Sequence, residues 1–386
     1  MIVFGGRTAS GNLNDVWNLN LNTNMWQNLS PPSGHIPAQH FTQNAFYDSL
    51  RNRMIIWSGQ GAQLFNDVWA FNFNSNKWQE LWPDGNLPGA PLKRYGTAAV
   101  FDPLNRRIVN FAGFTTSGRF EDTWYFQVDS LRWTEKTNSF HPELRCLHIA
   151  CISNDLQNMI LYGGQHNGSL DDTWSLNLNT FIWTNITPTF KPAGRWFSYA
   201  IYAKFNNVVI FGGENNSGAL GDLWKFSFSQ NQWDSVSQGI IKPSARYGHT
   251  SVYIPSSDNM IIFSGNGNGY NNDSWQFTNI STTEIKNISS FPEGFYLSQN
   301  YPNPFNPKTI ISYRLTINSE VILKVYDMIG KEVATMVNKK QNAGNFSVNF
   351  DGTNLSSGVY FYKIEMLNDN AQKVFTDIKR MIIVKY

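Results

Sequence analysis

The residues of this 386-residue chain that could do chemistry are few: six histidines, two cysteines and a set of arginines in matching places. Arg94, Arg145, Arg195 and Arg246 each open a stretch of small and apolar residues, and His40 holds the same place once. Each of these four guanidinium groups could brace the fold by bonding backbone carbonyls or a neighbouring aspartate. His35, His40, His141, His148, His166 and His249 form no pair at metal-ligand spacing. His148 and His249 share a register with Thr97 and Ser198, so they read as members of a repeated ring. Cys146 and Cys151, in "RCLHIAC", would point to opposite faces of one strand and read as buried free thiols. There is no Gly-x-Ser-x-Gly, HExxH or phosphate loop, and "DGTN" at 351–354 reads as a turn. No catalytic residue, metal site or cofactor is expected. Charged residues make up 15% of the chain, against roughly 25% in average proteins. The net charge of +2 gives no basis for nucleic-acid binding. No apolar run is long enough for a helix to span a membrane.

The elements that must position these residues recur. "NDVWNLNLNTNMW" returns as "NDVWAFNFNSNKW", "EDTWYFQVDSLRW", "DDTWSLNLNTFIW" and "GDLWKFSFSQNQW", and "NDSWQFTNI" keeps its first half. The repeated residues are Asp15, Trp17 and Trp26; Asp67, Trp69 and Trp78; Asp122, Trp124 and Trp133; Asp172, Trp174 and Trp183; Asp222, Trp224 and Trp233; then Asp273 and Trp275, with Ile285 in the second Trp's place. The first Trp return every 50 to 55 residues, a period that signals a repeat array. Each unit reads as four short strands with Gly, Asn, Ser and Pro turns between them, and no helical period appears. A glycine closes the second strand at Gly6, Gly59, Gly113, Gly164, Gly213 and Gly265. A Trp can bury roughly 150–250 Å², about 4–6 kcal/mol at ~25 cal/mol per Å². The Trp are therefore expected to glue neighbouring sheets, and the Asp to accept hydrogen bonds from loop backbone.

This pattern resembles the kelch repeat over residues 1–289. The resemblance implies an all-β fold: a six-bladed β-propeller whose first blade lacks its first strand. In kelch propellers that bind acidic peptides, arginines placed like Arg94, Arg145, Arg195 and Arg246 line the channel mouth. The loops after the glycines vary most between units, and variable loops on a rigid frame are where binding concentrates. Phe65, Phe114, Arg119, His166, Asn215 and Tyr270, with His40, are the further candidate ligand contacts. A non-catalytic binding or adhesion module for a protein or glycan is expected. The alternative is an extracellular sugar-modifying kelch enzyme resembling a sugar oxidase or a sialic-acid isomerase.

Composition changes near residue 290. "SFPEGFYLSQNYPNPFNPKT" is rich in Pro, Asn and Ser, and residues 290–300 read as a linker. The alternating strands of residues 301–386 suffice for a small Ig-like β-sandwich. Residues 296–386 carry 11 Lys/Arg and 7 Asp/Glu, a net +4, leaving 19 − 21 = −2 for the rest. "NYPNPFNPKTIISY", "LKVYDMIGKEV", "LSSGVYFYKI" and "KRMIIVK" resemble the type A sorting domain of type IX secretion. The resemblance implies the secretion machinery as partner, passage through the periplasm, and an extracellular or cell-surface location. "MIVFGG" matches the second strand of a unit, so a first strand and a signal peptide are expected upstream of Met1.

Overall fold

The computed structural model describes every residue except 32–33, 154, 204–206, 237–241, 279–283, 291–294, 301, 369–371 and 386. At 284–290 and 345 it describes the backbone alone. Among the described residues strands are plentiful and helices absent.

Six sheets follow in chain order, and within each the strands pair in sequence. The first holds Ile2–Thr8, Gly11–Asn20 and Met25–Asn28. Five four-stranded sheets follow, beginning with Asn44–Asp48, Ala98–Asp102, Ile149–Ile152, Tyr199–Ala203 and Thr250–Ile254. Among the described residues none of the sheets closes on itself.

The asparagine runs between the two Trp are turn chemistry. Asn20, Asn72 and Asn177 each accept the backbone N–H groups of the residues two and three positions on, which folds the chain back on itself. The residue two before the second Trp then takes a positive φ: Asn24, Asn76, Leu131, Phe181 and Asn231. Asparagine tolerates that region better than most side chains. The turn sets the register, so the second Trp always faces the same third-strand position: Leu19 opposite Trp26, Phe71 opposite Trp78, Phe126 opposite Trp133, Leu176 opposite Trp183 and Phe226 opposite Trp233. Ile285 stands opposite Phe277 in that same register; its side chain lies outside the described residues.

Hydrophobic clusters join each sheet from the second onward to the next. The second Trp supplies the joint. Trp78 meets Phe4, Trp133 meets Trp57, Trp183 meets Phe111 and Trp233 meets Tyr162, with ring centroids 4.9–5.2 Å apart. Each partner is the residue just before the glycine corner of the preceding sheet. The tilted and edge-on geometry suits aromatic quadrupoles. The first Trp does a different job. Trp69 and Trp174 are buried while Trp124, Trp224 and Trp275 are half-covered, and each of the five donates its indole N–H to the Asp two residues earlier at 2.6–2.8 Å.

By contact density the chain divides into two units. The larger is Val3–Asp15 with Ser33–Ser290; the smaller is Met1–Ile2, Val16–Pro32 and Phe291–Tyr386. In the smaller unit, Tyr296–Leu297, Lys308–Leu315 and Gly344–Asp351 form one sheet. Ser319–Tyr326, flanked by Glu332–Gln341 and Gly358–Leu367, forms a second, with Lys373–Ile383 outermost. Side chains of both sheets share one core, including Leu297, Ile311, Tyr313, Leu323, Ile364 and Met381. Pro292 and Gly294 lie outside the described residues. The later part of the expected linker is structured: Tyr296–Leu297 is a strand, and Ser298 and Asn300 are buried. In the same unit the Tyr296 ring lies 5.4 Å from that of Trp17, and its hydroxyl donates to the Trp26 carbonyl at 3.5 Å.

Candidate ligand face

The glycine corner builds the site in the larger unit. At its first position Gly163 and Gly212 have φ near +60°, and a Cβ there would stand 2.6 and 2.5 Å from the carbonyls of Arg195 and Arg246. The second glycine's N–H bonds the following repeat: Gly6 to the His40 carbonyl, then Gly59, Gly113, Gly164 and Gly213 to the carbonyls of Arg94, Arg145, Arg195 and Arg246, at 2.8–3.1 Å. The N–H of each of those five residues returns a bond to the preceding repeat, at Leu13, Phe65, Phe120, Leu170 and Leu220. So the backbone of His40 or Arg belongs to one repeat and staples the one before.

The side chains face their own repeat. Arg94, Arg145, Arg195 and Arg246 are 0–1% exposed. Each makes a two-pronged ion pair, with Asp122, Asp172, Asp222 and Asp273 respectively, at 2.5–3.0 Å. Each also donates to two backbone carbonyls, as Arg145 does to Glu143 and Gly163. The Asp in turn accepts the first Trp's indole N–H. Burial pushes the carboxyls of Asp172, Asp222 and Asp273 up, but hydrogen bonds from the guanidinium outweigh it and hold them below the usual range. His40 stands in for an arginine: Nδ1–H donates to the Ala38 carbonyl at 2.7 Å and Nε2 lies 3.4 Å from Asp67. The repeated aspartates thus bond guanidinium and indole groups rather than chiefly the loop backbone the sequence suggested.

Beside this frame runs a layer of unlike side chains. The residues after the staple are Phe41, Tyr95, Cys146, Trp196 and Tyr247. They bridge through the backbone to Gln60, Phe114, Gln165, Glu214 and Asn266, the residues after the glycine corners. Adjacent repeats touch here: Arg119 lies 5.6 Å over the Phe114 ring and donates through Nη2 to Gln165 Oε1 at 2.9 Å. Phe114 in turn meets Tyr95 at 5.4 Å, and Phe197 meets Tyr247 at 5.9 Å. Leu147 and Phe197 hold positive φ while bonding the carbonyls of Gly96 and Leu147, so strained backbone links the layer.

The remaining candidates fall as follows. Phe65 is buried 4.2 Å from the His40 ring and presents nothing outward. His166 is half-buried, with Nδ1 3.2 Å from Glu143. Asn215 caps its own turn by accepting the Ser217 N–H. Tyr270 is 46% exposed and bridges Asn266. The sequence reading passed over Tyr95, Gln165, Trp196 and Tyr247; their signal was position, one residue past each staple or corner. Thr97 and Ser198 donate to the carbonyls of Phe111 and Phe211. His148 and His249 share that register. Burial and then Arg145 hold the His148 imidazole well below its usual range, and burial and Arg246 push His249 down to about 3. Cys146 and Cys151 are free and buried, and burial raises both thiols. No cluster of three His, Cys, Asp or Glu suited to a metal occurs among the described residues.

Residues 1–213, more than half of the chain, match the family described as the KLHDC2/KLHL20/DRC7 Kelch-repeats domain. The chain belongs to the kelch-repeat family. Residues 299–379 match the secretion system C-terminal sorting domain, which implies export by type IX secretion to the cell surface or beyond. Among curated proteins the kelch repeats resemble the Caenorhabditis elegans "Host cell factor homolog hcf-1", 25% identical over 42% of this chain and 23% of that protein. They also resemble the Xenopus laevis "Kelch domain-containing protein 10", 26% identical over 43% of this chain and 41% of that protein. The human "Leucine-zipper-like transcriptional regulator 1" is 26% identical over 41% of this chain and 19% of its own length. The chain spans less than half the length of these relatives.

Proposed function

We propose that this exported kelch protein is a non-catalytic binding or adhesion module whose ligand, a protein or a glycan, seats on the layer of unlike residues beside the arginine frame. The observation that carries this reading is the contrast between the two. The Arg–Asp–Trp frame is the same in four repeats and wholly engaged within the protein, so it offers nothing to an acidic peptide. The adjoining positions share one backbone geometry yet carry Phe, Tyr and the buried Cys146 and Trp196 on one side and half-buried Gln, Phe, Glu and Asn on the other. A constant scaffold with varied side chains is the arrangement of a recognition surface. Half-covered aromatics beside amides suit stacking with directional hydrogen bonds. The repeats fit a six-bladed propeller with a three-stranded first blade, and the smaller unit's two sheets fit an Ig-like sandwich.

The test is a glycan array together with a pull-down against cell-surface proteins, using the full chain. A specific ligand should lose at least ten-fold in affinity with Tyr95→Ala/Tyr247→Ala while the melting temperature stays near that of the parent chain. Binding unmoved by that pair would sink the reading, as would no specific ligand in either screen.

A further inference from the structure

Two of the most exposed large apolar side chains of the described residues are neighbours in the sorting domain: Met328 is 72% and Ile329 87% exposed. They occupy the turn between Ser319–Tyr326 and Glu332–Gln341, two strands of the second sheet. That turn is tightly built. Asp327 Oδ1 accepts the N–H of Ile329 at 3.0 Å and of Lys331 at 2.9 Å. The Asp327 N–H donates to the Lys331 carbonyl at 3.0 Å, and Gly330, at φ +84°, donates to the Asp327 carbonyl at 3.1 Å. The geometry of the turn needs only Asp327 and Gly330. The two positions between them are free to be polar, and a β-branched Ile is a poor turn residue. Their side chains add nothing to the core, which lies among residues such as Val321, Leu323 and Val325 on the strand before them.

We infer that Met328 and Ile329 form a pre-ordered apolar finger that enters an apolar pocket on a protein of the type IX secretion machinery. The partner follows from the domain: the finger lies inside residues 299–379, whose matched role is sorting for secretion. A protein pocket fits better than a bilayer. Even a single acyl chain holds a protein only marginally on a membrane, and two side chains offer less. In a protein pocket two fully desolvated anchors can dominate recognition. Because the turn is already ordered, docking requires little further loss of backbone freedom. The net +4 of residues 296–386 adds a charge preference for an acidic rim around the pocket.

The experiment uses the full chain behind an inner-membrane export signal in a bacterium that has the type IX apparatus. Met328→Ser/Ile329→Ser should leave the melting temperature unchanged, since both side chains are in solvent, and cut the amount outside the cell at least ten-fold, with the chain accumulating in the periplasm. Leu50→Ser, an equally exposed change in the repeats, should be exported like the parent. Met328→Leu/Ile329→Leu should also be exported, because the contact is apolar rather than shape-exact. Asp327→Ala, which loosens the turn but keeps the pair, should show an intermediate loss. Normal export of the Ser pair overturns the inference, as does failure of the Leu pair. Normal export combined with pair-dependent binding of the purified chain to phosphatidylethanolamine–phosphatidylglycerol vesicles would assign the finger to lipid and overturn it too.

Discussion

At the scale of single residues, the arginines are engaged wholly within the fold. Arg145 spends four of a guanidinium's five N–H donors on Asp172 and two carbonyls. Removing one partner of such a pair leaves a largely buried charge uncompensated. Arg145→Leu should therefore cost about 3–5 kcal/mol, measured by urea unfolding. Arg145→Leu/Asp172→Leu should cost less than the two single changes summed, because the stranded carboxylate goes too. The titration follows with a definite sign. The carboxyls of Asp172, Asp222 and Asp273 lie low in the folded chain, so their contribution is full above the unfolded value of ~3.9 and fades as pH falls through the folded values. His249, held at about 3 in the fold, acts over a higher window. Below ~6.5 the unfolded chain binds a proton that the folded chain refuses, so stability falls with pH from there down. The urea midpoint should drop between pH 7 and 5, and His249→Gln should make that limb shallower, with His148 supplying the remainder, while leaving the steeper loss below ~pH 4. An unchanged slope in the variant would contradict this.

At the scale of the element, the second Trp reveals a pairing rule between repeats. Trp183 Nε1 donates to Thr123 Oγ1 at 3.2 Å and Trp233 Nε1 to Thr173 Oγ1 at 3.1 Å. Each Thr is the middle residue of the preceding repeat's Asp-x-Trp. Where that residue is Val68, the buried Trp133 Nε1 has no acceptor. Val68→Thr should supply one. A buried Val→Thr change ordinarily destabilises, since it buries a hydroxyl, but here a net gain of about 0.5–1.5 kcal/mol is expected from the new bond. The matched Thr173→Val should cost about 1–3 kcal/mol by stranding Trp233 Nε1. Thermal melts of both variants check the rule. The glycine corner is stricter. Gly213 sits at φ +100°, and a Cβ there would come within 2.8 Å of Ser198 Cβ and 3.0 Å of the Trp196 carbonyl. Gly213→Ala should therefore destabilise the repeats by more than the 1–2 kcal/mol of left-handed strain alone.

At the scale of the whole molecule, the chain is a set of kelch repeats joined to a secretion sorting domain. Deleting residues 296–386 should leave the protein in the periplasm. It should also uncover Trp17, against which Tyr296 packs, so the shortened chain should bind more of a hydrophobic dye than the full one and lose thermal stability. Cell fractionation and dye fluorescence read the two effects separately. Export of the shortened chain at the parent level would refute the address.

Much of this was legible in the sequence because repetition prints itself: Asp-x-Trp, the second Trp nine residues on and the glycine corner return in register, and strand order follows from local turns. The sorting motifs were legible for the same reason, as a fixed series of local patterns. What the sequence left open was every choice that depends on a long-range partner. Arginine in one register could have faced a ligand or an aspartate 27 or 28 residues away, and only tertiary structure decided for the aspartate, because a guanidinium there is desolvated and must be paired. The first and second Trp looked alike in sequence. The fold separated them, one bonding its own repeat's aspartate and the other filling the joint with the preceding repeat. The candidate surface was hidden for the same reason: Phe41, Tyr95, Cys146 and Trp196 share no residue type, only a place, and place is set by backbone bonds that cross from one repeat to the next.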